Sequence, residues 1–104
     1  MTIKNLDGRV QGDRFDSTDV TNVLVTWKST GSAFINVLRD GYITDITLNI
    51  ATAGTTLELK LFLNQQDTGI RWLQSQCFPA LPTHFPNLNP IPVKAGDFLQ
   101  LLAI

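Results

Sequence analysis

Apolar and polar residues alternate with a period of two along much of the chain, as expected for β-strands that bury one face. The strictest alternation covers residues 57–63, where every odd position is leucine. Residues 20–28 follow the same pattern, and residues 42–50 follow it except at Ile43 and Thr44. An amphipathic helix would instead need apolar residues at i, i+3, i+4 and i+7. We therefore predict a strand for each of these segments.

Turn signals separate these segments and bound the remaining predicted strands, which cover residues 33–38, 70–78, 91–94 and 98–104. In the strand at 42–50, Tyr42 and Ile46 are expected to share one face. All five prolines lie between residues 79 and 92, which excludes a helix and a central strand across that stretch. We predict a long ordered loop or an edge crossing there.

The run of strands, with no helical segment between them, predicts an all-β fold: a small single-domain β-sandwich. A chain of 104 residues is long enough for one hydrophobic core. Residues 20–104 are expected to form the sandwich. Residues 1–19 are rich in charged side chains, so we expect an N-terminal arm or irregular lead-in there.

The C-terminal strand is apolar on both faces. Phe98 and Leu102 point to one side, whereas Leu99, Leu101 and Ala103 point to the other. One face is expected to meet the core. The other must meet a second layer, a neighbouring subunit or a host particle, because an exposed apolar strand promotes aggregation.

Composition excludes several classes of function. A net charge of −1 leaves no basic field for nucleic acid. No apolar run approaches the ~20 residues that span a bilayer, so we expect no membrane association. Cys77 is the only cysteine, which excludes an intrachain disulfide. The single histidine, His84, has no ligands at metal-binding spacing, so we expect no metal site.

The sequence contains no recognisable catalytic motif. The serines lack a nucleophile-elbow context, the glycines are scattered singly, and the aspartates fall mostly at turns. We therefore expect no catalytic residues and no cofactor, and a protein that is not an enzyme. A metal-dependent cupin-like enzyme would need about three histidines or equivalent ligands.

Three segments are similar to those of a group of virus proteins. They are RDGYITDITLNI at 39–50, LELKLFLN at 57–64 and IPVKAGDFLQL at 91–101. Together they resemble small trimeric jelly rolls on virus particles, above all the decoration (cement) proteins of tailed bacteriophage capsids. The resemblance implies a jelly-roll protomer, made in the host cytoplasm, that forms a homotrimer on the virion. There it would bind the major capsid protein at the outer surface and stabilise the shell.

This resemblance and the position of residues along the chain give three groups of candidate site residues. For capsid contacts we expect Ile3, Lys4, Leu6, Arg9 and Arg14. For the oligomer interface we expect Phe62, Phe98, Leu99, Leu101 and Leu102. The proline-rich stretch offers a further partner loop that displays Leu81, His84, Phe85 and Leu88. Prolines stiffen such a loop and lower the entropic cost of ordering it.

A receptor- or carbohydrate-binding head of a phage fibre is the alternative. In that case Trp72, Tyr42 and the turn aspartates would form a platform for a sugar ring. Core packing is the competing role for Trp72, as it is for Trp27. Binding to glycans would favour the fibre head, whereas a virion copy number comparable with that of capsomers would favour the decoration protein.

Overall fold

The computed structural model describes residues 1–16, 23–49, 58–73, 76–77 and 81–104, without the side chains of residues 16 and 87–89. Its strands, in chain order, are β1 (Thr2–Asn5), β2 (Val10–Gly12), β3 (Phe15–Asp16), β4 (Val23–Leu24), β5 (Thr26–Trp27), β6 (Ile35–Asn36), β7 (Gly41–Leu48), β8 (Glu58–Leu63), β9 (Gln66–Leu73), β10 (Thr83–Val93) and β11 (Phe98–Ala103).

Two antiparallel sheets form the sandwich. The first has the strand order β10-β7-β1-β2 and the second β4-β11-β8-β9, with β6 also paired to β11. Strands β3 and β5 form a separate two-stranded ladder. One core receives side chains from β1 and β7 of the first sheet and from β8 and β11 of the second. The predicted small all-β sandwich is confirmed.

The core follows from the period-two pattern. Leu59 and Leu61 on β8, and Leu99 and Leu101 on β11, are at most 3% exposed. Odd positions of these two strands face inwards together because Leu61 and Leu101 lie opposite each other in the ladder. The C-terminal strand therefore has one face in the core, as predicted.

The N-terminal residues belong to the sandwich, which corrects the expectation of an arm or irregular lead-in over residues 1–19. Strand β1 lies between β2 and β7, and Ile3 is 1% exposed. Residue Ile3 pairs with Gln11 on one side and with Ile43 on the other. A four-residue strand among charged residues offers too few alternations for a sequence pattern to reveal it. Residues 17–19 of the expected arm lie outside the described residues.

A β-bulge in β7 reverses the predicted orientation of Tyr42. The pairing of β7 with β1 skips Thr44, which is the extra residue of the bulge. Because the alternation shifts by one position, Ile43 and Ile46 are both buried, whereas Tyr42 faces outwards and is 43% exposed. The prediction that Tyr42 and Ile46 share a face is therefore wrong. The sequence interruption at Ile43 and Thr44 marks the position of this bulge.

Other strands also differ from prediction in their bounds. The described part of the segment predicted as one strand over residues 20–28 contains two short strands, β4 and β5, which belong to different sheets. Strand β10 includes Pro86, Pro90 and Pro92 and lies at the edge of the first sheet, where a missing N–H interrupts no central ladder. This confirms an edge crossing and excludes a long loop over that strand. Strand β9 begins before residue 70 because the turn preceding it needs only two residues, Asn64 and Gln65, at φ 51° and 67°.

Candidate functional site

The predicted capsid contacts separate in space. Lys4, Leu6 and Arg9 are exposed and lie around the turn between β1 and β2. Arg14 is also exposed, but it follows the opposite end of β2. Ile3 lies in the core, so its prediction as a capsid contact is wrong: the strand's period of two turns it inwards.

Exposed apolar side chains gather at the end of the sandwich formed by this turn. Of the seven large hydrophobic residues exposed in the described chain, four lie here. Leu6 and Leu38, 71% and 66% exposed, line one open cleft of about 390 Å³. Val10 and Tyr42 flank Lys4 from the two neighbouring strands. We call this group the end surface; it comprises Lys4, Leu6, Arg9, Val10, Leu38, Arg39 and Tyr42.

The backbone that carries the two leucines of the cleft is held by hydrogen bonds. The Leu6 N–H donates to the Asp40 carbonyl oxygen at 2.9 Å. The Gln11 side chain holds the other segment: its Nε2 donates to the Asn36 carbonyl oxygen at 2.9 Å, and its Oε1 accepts the Leu38 N–H at 3.0 Å. A partner that binds the end surface therefore has little backbone to order, which lowers the entropic cost of binding.

The free charge of the end surface is cationic. Asp7 Oδ2 lies 3.1 Å from Arg39 Nε and 3.9 Å from Arg9 Nε. Asp40 Oδ1 accepts the Ala95 N–H at 2.8 Å. Both carboxylates are thus engaged within the protein. Among the described residues, no hydrogen bond or ion pair engages the side-chain ammonium group of Lys4.

The outer face of the second sheet is a second apolar surface. Phe98 and Leu102 on β11 and Phe62 on β8 lie there, each partly buried. Phe34, 42% exposed, meets Phe98 edge-to-face with ring centroids 5.8 Å apart. Leu24 on β4 lies opposite Leu102. We call these five residues the outer apolar face.

Two predicted interface residues do not lie on the outer apolar face. Leu99 and Leu101 are both 0% exposed and belong to the core, so their prediction as interface residues is wrong. The reason is the alternation along β11, which gives the odd positions to the core and leaves Phe98 and Leu102 outside.

A charge-balanced cluster adjoins the outer apolar face. Arg71 on β9 donates to both carboxylate oxygens of Asp67, at 3.2 and 2.9 Å, and its Nε lies 2.8 Å from Glu58 Oε1. Lys60 lies opposite Arg71 in the ladder. The charges of the two cations and two carboxylates sum to zero, so this part of the sheet carries no net charge.

Acid is expected to remove the stabilisation that Asp67 contributes. Hydrogen bonds from Arg71 and from the Gly69 N–H lower the pKa of Asp67 from 3.8 to about 2. A carboxyl with a lowered folded-state pKa stabilises the fold above its unfolded pKa, and this stabilisation disappears as the pH falls through the folded value. The loss therefore falls between pH 3.8 and about 2.

Urea denaturation of the wild type and of Asp67→Asn measures this effect. The wild type is expected to be the more stable protein at about pH 6, and the difference should be absent below pH 2. A difference that is the same at both pH values would contradict the assignment.

The aromatic platform expected for a sugar ring is not formed. Trp72 and Trp27 are 5% and 0% exposed and pack in the core, while Tyr42 is exposed on the first sheet. Trp72 lies opposite Leu59 in the ladder, and that register turns its ring inwards. The predicted sugar-binding role of Trp72 is therefore wrong, and its competing role in core packing is confirmed.

The residues predicted as a partner loop do not form one surface. Leu81 is 59% exposed, and Phe85 packs against the core. His84 is exposed, and its Nδ1 lies 3.1 Å from Thr47 Oγ1. The side chain of Leu88 lies outside the described part of the chain.

The described residues hold little reactive chemistry. Burial raises the pKa of the Cys77 thiol, the opposite of what activates a nucleophile. Across the described ranges, no group of three His, Cys, Asp or Glu side chains could hold a metal ion. No helix there is both long enough and apolar enough to cross a membrane.

Sequence reasoning gave no role to three members of the end surface, and it assigned a fourth, Tyr42, to a sugar platform. Val10, Leu38 and Arg39 come together only because β1, β2 and the turn before β7 meet at one end of the sandwich. The one available signal was an apolar residue, Leu38, directly before the polar turn at residues 39–41.

Comparison with protein-family models, with curated proteins and with solved structures finds no match to this chain.

Proposed function

We propose that this protein is a structural virion protein: a decoration (cement) protein that binds the outer surface of a phage capsid and stabilises it as a homotrimer. The end surface is the observation that carries the proposal. Exposed apolar side chains grouped at one end of a domain mark a surface that meets a partner. Burying each of the four against a partner would contribute about 1–2 kcal/mol.

A surface of this size binds weakly alone, and a repeated lattice compensates for that weakness. A trimer would present three end surfaces to neighbouring capsid subunits. Once one surface has bound, the other two bind at a high effective concentration, so the net affinity rises without new contacts. A module that holds adjacent subunits in this way stabilises the shell. The sequence resemblance to capsid decoration proteins supports the same role.

We assign the outer apolar face to contacts between copies of the chain. Its aromatic and leucine side chains offer apolar area to bury. The adjoining cluster of Glu58, Lys60, Asp67 and Arg71 carries no net charge, so it does not repel the next copy as a like-charged patch would. A contact of one face with a different patch on the next copy closes into a ring when the rotation is threefold.

Capsid binding tests the proposed function. Emptied capsids of the phage whose genome encodes the chain are expected to pellet with the protein at a copy number comparable with that of capsomers. Decorated capsids should also resist heating better than bare ones.

Leu38→Asp is expected to abolish binding, whereas the matched variant Leu81→Asp should retain it. Absence of the wild-type protein from the pellet would refute the proposal, and a handful of copies would favour a fibre tip.

Light scattering after size exclusion tests the oligomer. We expect the wild type to elute with the mass of a trimer and Leu102→Glu to elute as a monomer, because a carboxylate would be buried in the contact. Leu81→Glu is the control and should remain trimeric. A wild type that stays monomeric at high concentration would refute the assignment of the outer apolar face.

A further inference from the structure

We infer that the capsid segment bound by the end surface is acidic and inserts an apolar side chain into the cleft between Leu6 and Leu38. This inference rests on the proposed function and specifies the chemistry of its protein partner.

The cleft favours an apolar guest. Its lining includes the exposed side chains of Leu6 and Leu38, and Ala95 adds a methyl group. The two carboxylates that also line it, Asp7 and Asp40, already accept hydrogen bonds or ion pairs from the protein itself. A polar guest would therefore lose water and find few free partners, which costs free energy. An apolar side chain has no hydrogen bonds to water to lose, and burying its apolar surface in the cleft favours binding.

The charges around the cleft favour a partner with carboxylates. Lys4, Arg9 and Arg39 contribute three cations against the two anions Asp7 and Asp40. Asp7 and Asp40 already have hydrogen-bond or ion-pair partners within the protein. Lys4, by contrast, is exposed, and Arg9 Nε lies 3.9 Å from the Asp7 carboxylate. Asp or Glu side chains on the partner would meet ammonium and guanidinium donors, which bind carboxylates in charge-assisted hydrogen bonds.

The lining of the cleft favours a protein segment over an acidic saccharide. A sugar ring gains most from stacking on an aromatic face, whereas leucines best accommodate an apolar side chain. At the end surface the exposed aromatic ring is that of Tyr42, on the outer face of the first sheet. A saccharide would therefore depend on Tyr42, and a protein segment would depend on Leu6 and Leu38.

Binding of the full-length protein to the same emptied capsids, measured over a series of NaCl concentrations, tests the inference. We expect Leu6→Ala and Leu38→Ala each to weaken binding about tenfold. Arg9→Gln should weaken binding at low salt and reduce its salt dependence, since screening then has less attraction to remove. The matched controls Leu81→Ala and Arg14→Gln change side chains that the structure places away from the end surface, so both variants should bind like the wild type. Thermal unfolding checks that each variant remains folded.

The outcomes distinguish this inference from the proposed function. A wild type that does not bind capsids refutes both. Capsid binding that is unaffected by Leu6→Ala and Leu38→Ala, or that is independent of salt, overturns the inference and leaves the proposed function standing. Binding that survives Leu6→Ala and Leu38→Ala but is lost in Tyr42→Ala, together with competition by the acidic polysaccharide alginate, would assign the site to a saccharide and also overturn the inference.

Discussion

Gly41→Ala is expected to destabilise the protein by about 3 kcal/mol, the upper part of the range for overpacking. Gly41 on β7 lies opposite Asn5 on β1. A Cβ atom at this position would lie 2.2 Å from the Lys4 carbonyl oxygen and 2.8 Å from the Asn5 Cα atom. Both are backbone atoms of a central strand, so no side-chain rotation relieves the clash. The free energy of unfolding from urea denaturation measures the effect.

Gly12→Ala is the matched control. Gly12 lies on β2, the strand on the other side of β1, and a Cβ atom there meets nothing within 4 Å. We expect a change in the free energy of unfolding within about 0.5 kcal/mol. Equal effects of the two substitutions would contradict the close approach of β1 and β7.

Ile3→Ala is expected to cost about 2–5 kcal/mol, the range for truncating a large aliphatic side chain in a core. Ile3 is 1% exposed and belongs to the core that both sheets share. The lost side chain would leave a cavity, because the flanking strands fix the backbone and limit collapse. The same denaturation experiment measures the loss.

Leu6→Ala separates stability from binding in the same segment. Leu6 is 71% exposed, so its truncation should change the free energy of unfolding by less than about 0.5 kcal/mol while it weakens capsid binding. Should Ile3→Ala prove as neutral as Leu6→Ala, the N-terminal residues would be a lead-in after all and not a central strand.

The long alternating segments could be predicted because burial follows their period. Leu59 and Leu61 reach the core as the pattern requires, and β11 turns alternate residues inwards and outwards. Within these segments, the orientation predicted for Tyr42 was wrong, because one bulged residue, Thr44, moves Tyr42 to the other face of the sheet. The interrupted alternation at Ile43 and Thr44 marks the position, but whether a bulge forms there depends on pairing with another strand, which a single segment of sequence does not show.

The end surface could be predicted only in part for a related reason. Lys4, Leu6 and Arg9 were identified from their position near the N-terminus, whereas Leu38 is separated from them by some thirty residues of sequence and joins them through the Gln11 side chain. Exposure of a leucine is a property of the assembled strands. Its hydropathy alone predicts burial, and its position directly before the polar turn at residues 39–41 is too weak a signal to place Leu38 in a binding site.

A reconstruction of the decorated particle tests the central claim most directly. We predict density for three copies around a threefold contact, with Leu6 and Leu38 of each copy facing the shell and an acidic capsid segment beside Arg9 and Arg39. Particles without this chain, or copies whose end surface faces solvent while another surface contacts the shell, would contradict the account.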